Sequence, residues 1–376
     1  MMQEADSSGG MALRIEPPFD VSAVPDAPAV FVVRLGDARP YLGRSALLRR
    51  RLSRLLGEAA PGSRRLNLRE PATSVECYPV KGRLPSSLLY YRLARELFPD
   101  EYLPMVKLRF PAYVKVLLSN TYPRTEVTTR FSGSGALHYG PFRTRAAAER
   151  FEGELLDQFQ VRRCVEDLVP SPEHPGCIYG EMMRCLRPCQ DAVSAEEYRG
   201  ESRRLVQFLE SGGASLIDPI RTARDRFSAE LDFEQAQRQH ERLQRIEQAL
   251  KLRDDLATAA SRLSGVAVYP SLATGQVDLH FILDGVWLEP VRFSIAADTA
   301  GTMAPLDRRL RELYAALTRP RMTIRDRAEH IALLARWYYS SFRDADWIAF
   351  ESDQPPYRKL VRAISKAASG AQAELF

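Results

Sequence analysis

From residue 29 the chain alternates short apolar runs with helical repeats rich in arginine. Ala29 to Arg34 (AVFVVR) reads as a strand, Gly36-Asp37 as a turn, and Arg39 to Leu42 as the returning strand. Leu47, Leu48, Leu52, Leu55 and Leu56 then recur at helical spacing, which predicts a helix from about Ser45 to Leu56. Its other face carries Arg49, Arg50, Arg51 and Arg54. Thr73 to Tyr78 predicts a third strand, and Ser86 to Phe98 a helix with Leu88, Leu89, Leu93 and Leu97 on its apolar side.

Further along, Tyr198, Leu205, Phe208 and Leu209 mark a helix that the Gly212-Gly213 pair ends. Leu216 to Leu256 carries Ile220, Phe227, Leu231, Phe233, Ala236, Leu243, Ile246 and Leu250 at spacings near three and four. This pattern suits a helical hairpin bending at about Glu230-Leu231-Asp232. Val266–Tyr269, Val277–Leu283 and Trp287–Ile295 read as antiparallel strands with an Asp284-Gly285 turn. Helices follow at about 305–318 and 324–342, and Tyr357 to Ala368 is a basic amphipathic segment. The fold class is therefore α+β.

At 376 residues the chain has room for two or three domains. No apolar run approaches the ~20 residues of a membrane span, so a soluble, cytoplasmic protein with no membrane partner is expected. The first residues, MMQEADSSGG, are polar, and residues 1–20 are read as a disordered tail. A net charge of +5 is too mild to prove nucleic-acid binding, but the arginines cluster, which favours phosphate contacts.

Four of the five cysteines fall within CVEDLVPSPEHPGCIYGEMMRCLRPC. Cys164, Cys177, Cys185 and Cys189 give the spacing C-x12-C-x7-C-x3-C. Disulfides would need an oxidising compartment, to which no leader directs the chain. A zinc site usually opens with a tighter pair. An iron–sulfur cluster takes four thiolates and accepts looser spacing, and four buried, unliganded thiols are the remaining alternative. Arg162, Arg163, Arg184 and Arg187 flank the thiols and favour the thiolate form.

Several stretches, in order, resemble one family. AVF at 29–31 and PYLGRS at 40–45 resemble the two signature segments of a GIY-YIG nuclease domain. FPAYVKVLLSNTYPRTEVTTRF at 110–131, followed by HYGPF at 138–142, resembles the UvrC run PYI…PR…R…YFGPF. The cysteine stretch and VSAEEYRGESRRLVQFLESG at 193–212 resemble the segments that follow it in UvrC. RFSAELDFEQAQRQHERLQRIEQAL at 226–250 is similar to the UVR motif. These landmarks cover about 29–255 and identify the chain as a member of the UvrC family, the nuclease subunit of bacterial nucleotide-excision repair, in a short, Cho-like form.

The resemblance implies a small GIY-YIG-like antiparallel sheet with helices at 21–105 and a connector with the cysteine region at 106–210. A UVR helical hairpin at 211–258 and a C-terminal α+β domain at 262–376 complete the expected organisation. It implies a 4Fe-4S cluster, with zinc as the alternative, on Cys164, Cys177, Cys185 and Cys189. It implies a nuclease remnant: Tyr41 is the second tyrosine, Arg44 the basic residue three after it, and Arg51 the arginine ten after it. The first tyrosine is replaced by Phe31. The family's metal glutamate falls on Tyr90 or Tyr91 and its asparagine on Tyr102 or Leu103, while Glu96 is five or six residues late and on another face. Mg²⁺ is bound through carboxylates and is expected only if the site works.

Arg44, Arg49, Arg50 and Arg51 are the expected contacts to double-stranded DNA. Phe233, Glu234 and Leu243 are the expected contacts to UvrB through 226–250, although the motif's usual Arg-Asp pair is absent. In the C-terminal third, Asp278 and His280 share a strand face and are read as half-buried sheet residues. Neither the D-I-S-H signature of UvrC's second nuclease domain nor its helix-hairpin-helix module is expected there. The expected function is a DNA-binding repair protein of the SOS response with an impaired nuclease site. An active 3′-side nuclease with a rearranged metal site and a UvrB-docking adaptor are the alternatives.

Overall fold

The computed structural model describes residues 13–58, 64–131, 135–295, 305–319 and 322–373. The fold is α+β, and every strand pairing is antiparallel. Three four- or five-stranded sheets follow one another along the chain.

The first sheet runs in the order β1–β4–β2–β3, from Leu13–Ile15 (β1), Ala29–Leu35 (β2), Ala38–Ser45 (β3) and Ser74–Pro79 (β4). β1 shortens the expected tail. Leu13 and Ile15 alternate onto the core, and the strand pairs with Val75–Cys77. Residues 1–12 of that tail lie outside the described residues. Helix α1 (Leu48–Leu56) covers one face with Leu48, Leu52, Leu55 and Leu56. Burying each such side chain stabilises the module by about 1.5–3 kcal/mol. The helix starts later than the periodicity predicts because β3 runs on through Ser45, whose hydroxyl accepts from Leu47 N–H. Helices α2 (Arg83–Leu97) and α3 (Tyr102–Val106) cover the other face, against Val30, Val32 and Tyr78. Pro85 lies in the first turn of α2, where no intrahelical donor is lost.

The middle sheet has the order β6–β5–β7–β8, from Ala112–Leu117 (β5), Thr125–Thr128 (β6), Ala136–Phe142 (β7) and Thr258–Ala259 (β8). Helices α4 (Arg145–Leu156), α5 (Ile178–Glu181), α6 (Ala195–Glu210), α7 (Ala214–Ala229) and α8 (Phe233–Lys251) intervene before β8. The α7–α8 pair is the expected hairpin, and Leu231, with φ of 61°, makes the bend. Asp232 caps α8 by accepting from Gln235 N–H, and Ser194 and Glu197 close a capping box on α6. The base of the hairpin is part of the middle core: Ile220, Leu243 and Ile246 pack with Phe151, Tyr198 and Phe208. Leu243 is therefore not free to bind a partner. At 4% exposure it is a core residue, because the apolar stripe it belongs to is satisfied within the chain.

The C-terminal sheet runs β11–β10–β9–β13, with β12 also on β10. Its strands are Gly265–Pro270 (β9), Gln276–Leu283 (β10), Val286–Trp287 (β11), Val291–Ser294 (β12) and Asp346–Ala349 (β13). Asp284 and Gly285, with φ of 53° and 78°, form the tight turn that glycine permits at the second position. Helices α9 (Leu306–Ala316) and α11 (Tyr357–Ala373) pack with Val277, Leu279 and Phe281 on one face. Helix α10 (Ile324–Tyr338) covers the other and reaches across to α2. No helix among the described residues is long and apolar enough to cross a membrane.

Candidate functional site

The remnant expected in the first module is assembled around β3. Tyr41 and Phe31 lie on the α1 side, where the Tyr41 hydroxyl accepts from an Arg51 guanidinium nitrogen at 2.8 Å. Gly43 is required there, since a Cβ would stand 2.5 Å from the Phe31 ring. Arg44 points to the opposite face and lies over the Tyr90 ring at 5.3 Å. The strand's two-residue period thus splits the expected trio: Tyr41 and Arg51 touch, and Arg44 meets Tyr90 instead. Burial raises the Tyr90 phenol, the Arg44 charge lowers it and Tyr41 raises it again, so these groups sense one another. Of the remaining arginines, Arg49 is spent on the Val24 carbonyl at 2.8 Å, whereas the Arg50 side chain is exposed.

Of the positions on which the metal glutamate (Tyr90 or Tyr91) and its asparagine (Tyr102 or Leu103) fall, Tyr91 and Tyr102 have a different use. The Tyr91 hydroxyl donates to Glu329 at 2.6 Å, and the Tyr102 hydroxyl donates to the same carboxylate at 2.8 and 3.0 Å. Arg325 adds a third contact at 2.9 Å. Glu329 lies on α10, and its side chain is only 1% exposed. Burial, and then Glu329 itself, pushes both phenols up, so they remain proton donors. Glu96 is exposed, and its charge is felt at Arg34, which is already paired with Glu76 at 2.9 Å.

One basic group was not legible in the sequence. Arg336 of α10 donates to the Val106 carbonyl at 3.0 Å, which carries its side chain to the first module. Burial, then the charges of Arg44 and Arg109, hold its guanidinium below the ordinary value. Among the described residues none of these three arginines pairs with a carboxylate. Arg44 and Arg336 are 292 positions apart, so no local pattern could join them.

The cysteine stretch winds through short turns. Cys177 precedes α5, and Cys189 lies in a 3-10 turn at Pro188–Gln190. Positive φ at Met183, Arg187 and Asp191 folds the chain back on itself. Cys185 and Cys189 are buried, Cys164 is half-buried and Cys177 is exposed. Burial pushes the Cys185 thiol up to about 11, and the Cys164, Cys177 and Cys189 thiols add to the rise. Buried Arg162 donates to the Cys164 sulfur at 3.4 Å and to the Glu166 carbonyl at 2.7 Å. Arg163 and Arg184 both pair with Asp157. Among the described residues no three His, Cys, Asp or Glu side chains stand close enough to hold a single metal ion. The fifth cysteine, Cys77, is a core residue of β4 whose thiol burial pushes to about 12.

At the hairpin tip Phe233 is 65% exposed and Leu231 is 72% exposed, while Glu234 pairs with Arg238 at 2.6 Å on the same helix. In the C-terminal sheet Asp278 pairs with its cross-strand neighbour Arg292 at 3.2 Å, and His280 is buried.

Comparison with known proteins agrees with this arrangement. Residues 112–208 match the UvrC/Cho excinuclease middle domain, which here comprises the β5–β7 sheet, the cysteine turns and most of α6. The UvrABC system protein C of Desulforudis audaxviator is 27% identical over 237 residues, 63% of this chain and 38% of that one. That of Nitratidesulfovibrio vulgaris is 24% identical over 272 residues, 72% and 39% of the two chains. That of Chlamydia pneumoniae is 25% identical over 243 residues, 63% and 40%. The chain thus spans about two fifths of the length of these curated relatives. No solved structure matches it. With the middle domain matched directly and the likeness to these relatives reaching well beyond it, the chain belongs to the UvrC family.

Proposed function

We propose that this chain is a DNA-binding component of bacterial nucleotide-excision repair that does not cut DNA through its GIY-YIG-like module. The observation that carries this reading is the use of Tyr91 and Tyr102. Cleavage of a phosphodiester by a bound Mg²⁺ needs a carboxylate anchor and a poised nucleophile. Here neither candidate for that anchor, Tyr90 or Tyr91, is a carboxylate, and Tyr91 and Tyr102 donate to Glu329 of another unit. Tyr41 and Arg51 keep each other's company, and Arg44, Arg109 and Arg336 form a cationic patch suited to the DNA backbone.

The cysteine stretch is proposed to hold a 4Fe-4S cluster on Cys164, Cys177, Cys185 and Cys189. Sulfurs around one tetrahedral zinc lie about 3.8 Å apart, from a Zn–S bond of about 2.3 Å. The loose C-x12-C-x7-C-x3-C spacing suits the wider cluster better. Arg162 beside Cys164 favours the thiolate that either ligand would need. The exposed Leu231 and Phe233 support docking of a partner helical hairpin, in this reading that of UvrB.

The test is an incision assay on a lesion-bearing duplex with UvrA and UvrB, in Mg²⁺ or Mn²⁺, using anaerobically purified protein. Duplex bound with a steep salt dependence and left uncut is the expected result. A 3′-side nick that disappears in Tyr41→Phe would establish a working metal site and overturn the reading.

A further inference from the structure

The C-terminal end of α10 gathers aromatic rings and cations that neither the Tyr41–Arg51 group nor the cysteines use. Within residues 338–343 three rings each carry an arginine over one face. Arg343 lies over Tyr338 at 4.7 Å, Arg143 over Tyr339 at 5.2 Å and Arg83 over Phe342 at 4.7 Å. Each distance is inside the ~6 Å reach of cation–π attraction. Arg83 opens α2 and Arg143 follows β7, so three elements distant in sequence supply one strip. The Tyr338 and Tyr339 rings meet edge to face at 5.4 Å.

The rings differ in how far the fold commits them. Tyr338 donates to Asp255 at 3.2 Å and Tyr339 to the Pro141 carbonyl at 2.8 Å, and both residues are half-buried. Phe342 has no polar atom to tie it down and is 64% exposed. A lone exposed apolar ring is ordinary on a protein surface. This one sits among three exposed arginines, and among the described residues none of Arg83, Arg143 and Arg343 pairs with a carboxylate. The nearby acids are turned to the fold instead. Asp344 accepts from Arg83 N–H at 2.6 Å, from the Tyr269 hydroxyl at 2.7 Å and from Trp337 Nε1–H at 3.0 Å. Asp254 accepts from Arg143 N–H at 2.6 Å. Arg336, which senses Arg44 and Arg109, lies one helical turn before Tyr339 and Ser340, so the strip continues the cationic patch already described.

Spare cations beside an open ring are complementary to a chain that alternates flat bases with phosphates. In a paired duplex each base is covered by its neighbours in the stack, and Phe342 would gain nothing there. In an unpaired strand every base has a free face to lay on the ring. A protein segment would have to bring carboxylates to three arginines in register, whereas a nucleic-acid strand carries a phosphate on every residue. We infer that the 338–343 strip is a binding site for single-stranded DNA, in which a base stacks on Phe342 while Arg83, Arg143 and Arg343 take the flanking phosphates. The inference rests on the reading of this chain as a DNA-binding protein, and it adds the form of DNA that this face accepts.

The test follows the fluorescence anisotropy of a labelled oligothymidylate of about 12 nucleotides, and of a fully paired duplex, with the full-length protein. The parent should bind the single strand. Phe342→Ala should weaken that binding about five- to 150-fold, the stacking of one base, and Phe342→Trp should keep it. Arg83→Ala with Arg343→Ala should reduce the slope of log K against log salt on the single strand by about 1.4, roughly 0.7 for each lost phosphate contact. A parent that binds the duplex but not the oligothymidylate would overturn this inference and leave the DNA-binding reading standing; a parent that binds neither would overturn both. Single-strand affinity unchanged in Phe342→Ala, or an equal fall on the duplex, would also remove the stacking site.

Discussion

Replacing Glu329 by alanine tests the junction between the first module and the C-terminal unit. The carboxylate accepts from Tyr91 at 2.6 Å, from Tyr102 at 2.8 and 3.0 Å, and from Arg325 at 2.9 Å. Hydrogen bonds to a charged group are worth about 1.5–3 kcal/mol each, and each hydroxyl stranded in the interior costs about 1–3 kcal/mol. Arg325, with its side chain 64% exposed, returns to water at little cost. Since these terms overlap, the expected loss is about 3–5 kcal/mol, as for breaking a buried charged pair. The triple replacement Tyr91→Phe, Tyr102→Phe, Glu329→Leu removes donors and acceptor together and should recover to within about 1 kcal/mol of the parent, because no polar group is left stranded. Urea unfolding would be followed by two probes. Trp287, Trp337 and Trp347 all belong to the C-terminal unit, so their fluorescence follows that unit. Far-UV circular dichroism follows the whole chain. In Glu329→Ala the two curves should separate as the junction weakens. A loss below about 1 kcal/mol, or a triple variant no more stable than Glu329→Ala, would refute the argument that this carboxylate ties the units together.

Three further outcomes follow from named groups. Arg44→Ala with Arg336→Ala should weaken duplex binding and reduce the slope of log K against log salt by about 1.8, roughly 0.9 for each lost phosphate contact; an unchanged slope would remove these arginines from the DNA face. The parent, purified without oxygen, should show bound iron and the visible thiolate-to-iron absorption of the proposed cluster, and Cys185→Ser should lose both; stoichiometric zinc in a colourless parent would overturn the cluster. His280 is held neutral by burial with its pKa lowered from 6.5 to about 4, so the unfolded chain takes up the proton first as the pH falls. Its contribution to stability is therefore complete above pH 6.5, is lost between there and about 4, and amounts to roughly 2 kcal/mol between pH 7 and 5. His280→Phe should lose that much less than the parent over the same interval in urea titrations, and identical pH profiles would contradict the assignment.

What the sequence revealed and what it hid divide along the range of the interactions. The β2–β3 turn, the bend at Leu231 and the Asp284-Gly285 turn are local, and composition plus period locates them. So is the leucine face of α1. Leu243 shows the limit of periodicity: an apolar stripe says that a face is covered, not by what, and here the middle domain covers it. β1 was missed because three residues are too short a window for alternation to stand out. Glu329 was invisible for another reason. A glutamate within a helical repeat reads as a solvated position, and only the packing of α10 on α2 reveals that it is enclosed. The patch joining Arg44, Arg109 and Arg336 is likewise a product of the tertiary fold.

Placing a glutamate at position 91, one of the two positions on which the family's metal glutamate falls, asks whether the proposed loss of the metal site could be undone by one change. In Tyr91→Glu the new carboxylate would face Glu329, where the phenol now donates to it at 2.6 Å in a buried setting. Two carboxylates that close cannot both ionise at ordinary cost, so one would stay protonated near neutral pH. The new group would then be a poor metal ligand, and the junction would exchange a neutral donor for a repulsive or proton-bound pair. Tyr91→Glu is expected to be less stable than the parent in urea and to remain unable to nick a lesion-bearing duplex in Mg²⁺ or Mn²⁺. Its unfolding midpoint should recover as the pH is lowered toward the carboxylate range, since the shared proton is then bound without penalty, over an interval in which the parent loses stability through buried His138, His280 and His330. Metal-dependent nicking by Tyr91→Glu would show instead that the old geometry survives beneath the junction. The tyrosine would then be a simple substitution in a nuclease site, with Glu329 filling space beside it.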